Sequence, residues 1–380
     1  MNRLFKKTSL KKHILLYDAI EFGHHKNFIV FYTKTLVSLN CSVSIVFPNS
    51  EQLFHEFDAT EIEHIRLINY QKSKNVNSLR FKVWQNWQEL KANFRNVHQK
   101  VDFMFIMWFD DFKFHSDHPI LLKFFLRYFN WTFKCPWIGI NVHQVHFRKK
   151  TNNHEIWCKE LITNHSYCRG VGIFDEGILG KYQGVITKSV YLFPDVTKTE
   201  KANSLDKSNS KKIVLPGVGD RRKGILRFIK SAELAVNKDW EFIILGKINW
   251  NDFTDTEQLE ITQTLNSQRV HCTGFIESEA LMNEYVDHAD LIFAAYEDFP
   301  HSSNILTKAA AFNKFVLVNE GFLMAERIRN YQIGLVIQQN IELDLNRVYD
   351  NTKNLNPKFN EYLQLHSIGQ LNKVLESIVK

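Results

Sequence analysis

Cysteine is scarce and unpaired in this chain. The 380 residues hold 5 cysteines, an odd number with no Cys-x-x-Cys pair, which argues for a reducing compartment rather than a disulfide framework. Long apolar runs are missing too, since none approaches the roughly 18 to 20 residues needed to cross a bilayer. The start, MNRLFKKTSLKK, is basic, but the apolar stretch after it is short and runs into Asp18 and Glu21. That argues against a cleaved signal peptide and for a cytoplasmic protein. Nor is there a concentrated basic face. With 48 basic and 41 acidic residues the net charge is +7, which favours anionic partners. The charge is spread evenly and no recognised nucleic-acid motif occurs, so no nucleic-acid partner is expected.

What is present is a globular composition. A hydrophobic fraction of 44% with 23% charged residues and 31 Phe implies aromatic cores, and the length suits roughly two domains. Apolar runs suited to strands are His13–Ile20, Ser42–Phe47, Val101–Phe109, Pro136–Asn141, Gly170–Phe174 and Val190–Phe193. After a stretch poor in large apolar residues, Thr197–Lys212, the pattern resumes with Ile213–Leu215, Trp240–Leu245, Ala289–Ala295 and Phe315–Val318. Helical patterns lie between them. Strand, loop and helix in alternation make parallel sheets, with ligand loops at the carboxyl ends of the strands. The fold class read from this is α/β, with two Rossmann-like doubly wound domains. Residues 1–196 form the first and 213–355 the second, with a linker over 197–212. A C-terminal helix over 356–380, apolar at Ile368, Leu371, Val374, Leu375 and Ile378, is expected to pack back toward the first domain.

One loop carries clear chemistry. Strand Ile213–Leu215 runs into Pro216-Gly217-Val218-Gly219-Asp220-Arg221-Arg222-Lys223-Gly224, and an amphipathic helix follows. Glycines free the backbone, a helix start offers unpaired amides, and Lys223 adds a full charge. Three cations at a helix N-terminus oppose its dipole unless an anion is bound there, and a diphosphate is the natural ligand. Further on, Pro300, His301, Ser302, Ser303 and Asn304 supply a turn before a helix whose apolar face is Ile305, Leu306, Ala309 and Ala310. Its first amides would also meet an anion.

The segment Val270–Ile337 resembles the nucleotide-sugar half of the GT-B glycosyltransferases, closest to the large retaining group called family 4. The matching residues are Gly274, Tyr285, Ala289-Asp290, Glu297, the helix around Ala309 to Ala311, Val316 to Val318, Gly321, Glu326 and Gly334. The resemblance implies a GT-B fold, in which two such domains face a cleft, and a metal-independent, retaining transfer of a sugar from a nucleotide diphosphate sugar to a hydroxyl acceptor. No cofactor is implied. It assigns the donor diphosphate to Lys223 and Gly224, with Arg222 or Arg221 standing in for an Arg that relatives carry where this chain has Gly217. Gly219, Gly246, His301, Ser302, Ser303 and Asn304 would line the nucleotide side. Gly23, with His24 beside it, would sit in the loop facing acceptor and phosphates. His143, or else His146, would contact the donor sugar, and Glu297 would be the acidic loop's catalytic group. The family's second Glu, which accepts from the ribose, is replaced by Lys308, and Glu297 lies eleven residues before it rather than eight. An ammonium has no acceptor, so Lys308 either contacts the donor differently or marks a non-catalytic relative serving as a partner subunit or binding module.

Three further motifs have competing readings. Asp110-Asp111 after a strand invites a metal, although two acids there are more often caps. His154, Cys158, His165 and Cys168 match no zinc spacing, and Cys168 reads as a buried thiol, so no metal site is expected. Pro119–Lys134, PILLKFFLRYFNWTFK, is either a core helix with snorkelling cations or a segment in peripheral contact with an anionic membrane surface.

Overall fold

The structure is a computed structural model that describes residues 12–21, 25–72, 79–112, 124, 127–128, 134–142, 164–205, 210–276, 278–338 and 342–380. Its apolar runs form two all-parallel sheets. The first contains β1 (His13–Tyr17), β2 (Ser42–Phe47), β3 (Ile65–Asn69), β4 (Phe103–Ile106), β5 (Trp137–Asn141), β6 (Cys168–Ile173) and β7 (Ser189–Leu192), in the order β3-β2-β1-β4-β5-β6-β7. The second contains β8 (Lys211–Pro216), β9 (Trp240–Leu245), β10 (Val270–Cys272), β11 (Leu291–Phe293), β12 (Phe315–Asn319) and β13 (Gly334–Ile337), in the order β10-β9-β8-β11-β12-β13. Both are doubly wound, as the sequence implied.

β3 was not anticipated. Its residues IRLIN are half-buried at Ile65, Leu67 and Ile68 and exposed at Arg66 and Asn69, and it is an edge strand paired to β2, so the continuous apolar run that marks the inner strands is missing. The inner strands behave as their composition demands. In the second sheet Ile213, Leu215, Phe242, Ile244, Leu291 and Phe293 enter one core cluster, whereas Val214, Ile243, Leu245 and Ile292 enter another. Successive side chains of a strand point to opposite faces, so each face is covered by helices. Each such residue buried contributes roughly 1.5–3 kcal/mol of transfer free energy.

The chain divides into two compact units, Met1–Pro194 with Ile368–Lys380, and Asp195–Ser367. The helix Ile368–Val379 therefore belongs to the first unit, where it packs on the helix His25–Ser38. Lys12 adds bonds to the Val379 carbonyl and, at 3.0 Å, to that of Lys380. Within the second unit, residues 198–205 lie along the helix Glu279–His288. Asn283 Nδ2 donates to the carbonyls of Lys198 and Glu200 at 3.1 and 2.9 Å, and Glu284 accepts from the Leu205 amide at 2.8 Å. Among the described residues, no helix is long and apolar enough to cross a membrane.

Candidate functional site

In a doubly wound sheet the loops on either side of the point where strand order reverses run apart, and a crevice opens between them. In the second unit that point lies between β8 and β11. The β8 loop is built for close approach. Gly217 sits at φ +81°, and a Cβ there would lie 2.4 Å from Lys223 Nζ. The loop is fastened to its neighbour by Gly217 N to Leu245 O at 2.8 Å and Gly219 N to Lys247 O at 2.9 Å. Gly246 lies under this junction, where a side chain would strike the Gly217 carbonyl.

Asp220 then caps a single turn, its Oδ1 accepting from the Lys223 amide at 2.8 Å. Gly224, at φ +75°, closes the turn and opens the helix Ile225–Glu233. A Cβ on Gly224 would come within 2.9 Å of the Ala295 carbonyl, so the residue type is set by conformation and space together.

The three cations diverge. Arg221 turns to the helix Asp255–Asn266, donating to the Asp252 carbonyl at 3.1 Å and pairing with Glu257. Arg222 lies over the rings of Phe299 and Tyr296, at 5.0 and 5.5 Å, on the β11 loop. Lys223 Nζ donates to the Pro216 carbonyl at 2.8 Å and lies 6.0 Å from the Tyr296 ring. Burial, with the nearby Arg222 charge, lowers the Lys223 ammonium from 10.5 to about 8 against the opposing pull of Asp220. Among the described residues it makes no ion pair.

On the other side of the crevice the Glu297 amide donates to the Arg222 carbonyl at 2.6 Å, which joins the two loops, while its carboxylate is exposed. Tyr296 is hydrogen-bonded to the side chain of Ser303. His301 packs edge-on against Phe299 at 5.2 Å. The structure thus brings Lys223, Arg222, Glu297 and Ser303 around one tyrosine.

The helix that follows begins at Ile305 with Asn304 as N-cap, and the Asn304 side chain makes no cap hydrogen bond. The serines before it are engaged elsewhere, Ser302 with Asp195 and Ser303 with Tyr296. Lys308 is buried in that helix. Its ammonium donates to Glu279 Oε1 at 2.9 Å and to Asn283, the residue that holds the 198–200 carbonyls.

In the first unit the reversal lies between β1 and β4, and the crevice there is lined by Tyr17, Asp18, Tyr70, Asn86, Trp108 and Asp111. Asp18 is buried. Its carboxylate accepts from the Ile20 amide at 3.0 Å and meets His25 Nδ1 at 2.7 Å, with the Trp108 ring 4.6 Å from that imidazole. Sequence reasoning missed Asp18 and His25 as site candidates, although an acid directly after β1 was a usable signal. Gly23, His24, His143 and His146 lie outside the described residues.

The remaining motifs resolve as follows. Asp110 accepts from the Val142 amide at 2.7 Å. Cys168 is fully buried, its thiol pushed up to about 12, and burial drives the His165 imidazole down to about 3. His154 and Cys158 lie outside the described residues. Of Pro119–Lys134, Tyr128 packs on the helix Leu79–Arg95, its hydroxyl accepting from Lys91 at 2.9 Å, and Phe124 is exposed.

Two doubly wound parallel domains of this kind define the GT-B fold of glycosyltransferases, and solved structures agree. HepE from Anabaena in complex with UDP and glucose is 11% identical and superposes with a TM-score of 0.66 over 97% of this chain and 99% of its own. Sucrose-phosphate synthase from Thermosynechococcus elongatus is 13% identical, with a TM-score of 0.64 over 97% and 96%. A glycosyltransferase from Rickettsia africae is 15% identical, with a TM-score of 0.62 over 97% of both chains. The family model for glycosyl transferases group 1 matches residues 196–364, which fall almost wholly in the second unit. No curated protein matches the chain by sequence.

Proposed function

We propose that this chain transfers a sugar from a nucleotide diphosphate sugar to a hydroxyl acceptor, with the donor at the β8/β11 crevice of the second unit. The observation that carries the reading is Lys223, a part-buried ammonium that makes no ion pair among the described residues, held at the carboxyl end of β8 beside Arg222 and Tyr296. Burying a charge without a counter-ion is costly, and a ligand diphosphate would complete it. The bound UDP of HepE is in keeping with such a ligand.

Cleaving the sugar–phosphate bond puts negative charge on the leaving diphosphate, so fixed positive charge there lowers the barrier. Lys223 and Arg222 supply it, and Gly217 leaves the ligand room beside Lys223, while Gly219 and Gly246 would act from beneath by shaping the loop. Ser302, Ser303 and Asn304 would border the donor, with His301 beside them. Glu297 would hold sugar hydroxyls, and His143 would contact the sugar as in family 4. The reaction is retaining and metal-independent in this reading, the leaving phosphate taking the acceptor proton. The acceptor is assigned to the first unit's crevice, where Asp18, Asp111 and Trp108 suit a polyhydroxylated molecule. The chain would work in the cytoplasm, with residues 119–134 in peripheral contact with the inner membrane face.

Calorimetry with UDP, GDP and ADP tests the donor site, and product anomeric configuration by NMR tests retention. One observation favours a second reading: Lys308, at the position where family 4 carries its ribose-binding Glu, is committed to an internal ion pair. If no nucleotide diphosphate binds the folded protein, the chain is a non-catalytic GT-B relative.

A further inference from the structure

A buried polar cluster lies behind the Ser302 turn. Arg327, on the helix Leu323–Tyr331, is 1% exposed, and its Nη1 donates to Asp195 Oδ2 at 2.7 Å and to Ser302 Oγ. The Ser302 hydroxyl donates to the same carboxylate oxygen. Asp195 is 4% exposed, and its backbone amide donates to His366 Nδ1 at 3.0 Å, which places any imidazole proton on Nε2. Burial and the Arg327 charge hold that imidazole well below its ordinary value, so it is neutral and fit to accept.

Such a cluster is expensive to assemble. A buried ion pair gains little over well-packed apolar groups of the same volume, and its usual return is a fixed geometry. What it fixes here is the turn carrying Ser302. Next to it Ser303 holds the Tyr296 phenol, and the Tyr296 ring faces both Arg222 and Lys223.

We propose that Asp195 and Arg327 are positioning residues for the donor site, acting through Ser302 to hold the 302–303 turn, and thereby Tyr296, against the cationic β8 loop. Asp195 is the first residue of the second unit and His366 the last but one, so the clamp also ties both ends of that unit to the turn. The inference rests on the donor-site reading of the preceding section.

Ser302→Ala removes one hydroxyl and Arg327→Lys keeps the charge while losing the guanidinium fork, so both are suited to folding. UDP affinity by calorimetry is expected to fall about tenfold in each, the effect of losing one charge-assisted hydrogen bond. The double variant should be no weaker than the weaker single one, because both substitutions break the same link. Hydrogen exchange of the ligand-free protein supplies a readout that needs no nucleotide: amides 302–306 should exchange faster in both variants while β9 and β12 stay protected. Additive losses, unchanged UDP affinity in a folded Arg327→Lys, or unchanged exchange at 302–306 would overturn the proposal. If wild type binds no nucleotide diphosphate, the donor reading fails instead, and the exchange result alone decides whether the clamp exists.

Discussion

The two units use one topology to build crevices with different linings. Each reverses strand order once, after β1 in the first sheet and after β8 in the second. At the first reversal stand Asp18 and Asp111 with Tyr70 and Trp108, and at the second stand Arg222 and Lys223 with Tyr296 and Phe299. The sheet supplies only the opening. What fills it is decided by a few loop residues, and so one topology can frame two different sites.

The largest expected effect that would break this comparison is at Lys223. Lys223→Ala should weaken UDP binding or turnover about ten- to a hundredfold, a loss of roughly 1.5–3 kcal/mol from one charge-assisted contact. Asp18→Asn should leave UDP affinity unchanged. Equal losses in titrations of the two variants would mean that the crevices do not divide the substrates.

A smaller effect is expected at Gly224. Alanine there would carry a positive φ and press on the Ala295 carbonyl, costing about 1–2 kcal/mol in urea unfolding. An unchanged unfolding midpoint would show that the turn relaxes freely.

The pH dependence sharpens the comparison further. Lys223 in the free protein loses its proton above about 8, while a bound diphosphate favours the charged form. UDP affinity should therefore hold below that pH and fall as pH rises from 8 to 10, and Lys223→Ala should abolish the fall. Stability runs the other way. The unfolded chain binds the Lys223 proton up to its ordinary 10.5, so between about 8 and 10.5 this residue's contribution to stability increases with pH. The smallest change belongs to Arg222→Ala, which removes an exposed cation–π contact worth about 0.5–1 kcal/mol and should raise the UDP dissociation constant a few fold.

Much of the fold was legible because parallel strands buried on both faces announce themselves as apolar runs. Ser42–Phe47 and Trp240–Leu245 are found at the boundaries read from the sequence. The edge strand Ile65–Asn69 was not, because a strand with one solvated side and no apolar continuity resembles any polar stretch. In the site, the β8 loop was legible from its glycines and cations, which are adjacent in sequence. The direction of each cation was not, since Arg221 is drawn away by Glu257, 36 residues on. Nor was the tie between Asp195 and Arg327, 132 residues apart. Lys308 shows the same limit. Its identity could be compared with a family pattern, but its partners Glu279 and Asn283 lie on a different helix.

The helix Ile368–Val379 has a consequence for the order in which the molecule is made. The first unit is built from two pieces, with the whole second unit inserted between them. During synthesis residues 195–367 emerge before that helix does, so the inserted unit has its full complement of strands while the earlier one still lacks the cover for the helix His25–Ser38. The face of that helix which packs on Ile368–Val379 must wait for it. Released early, a chain stopped at residue 367 would expose this face to chaperones.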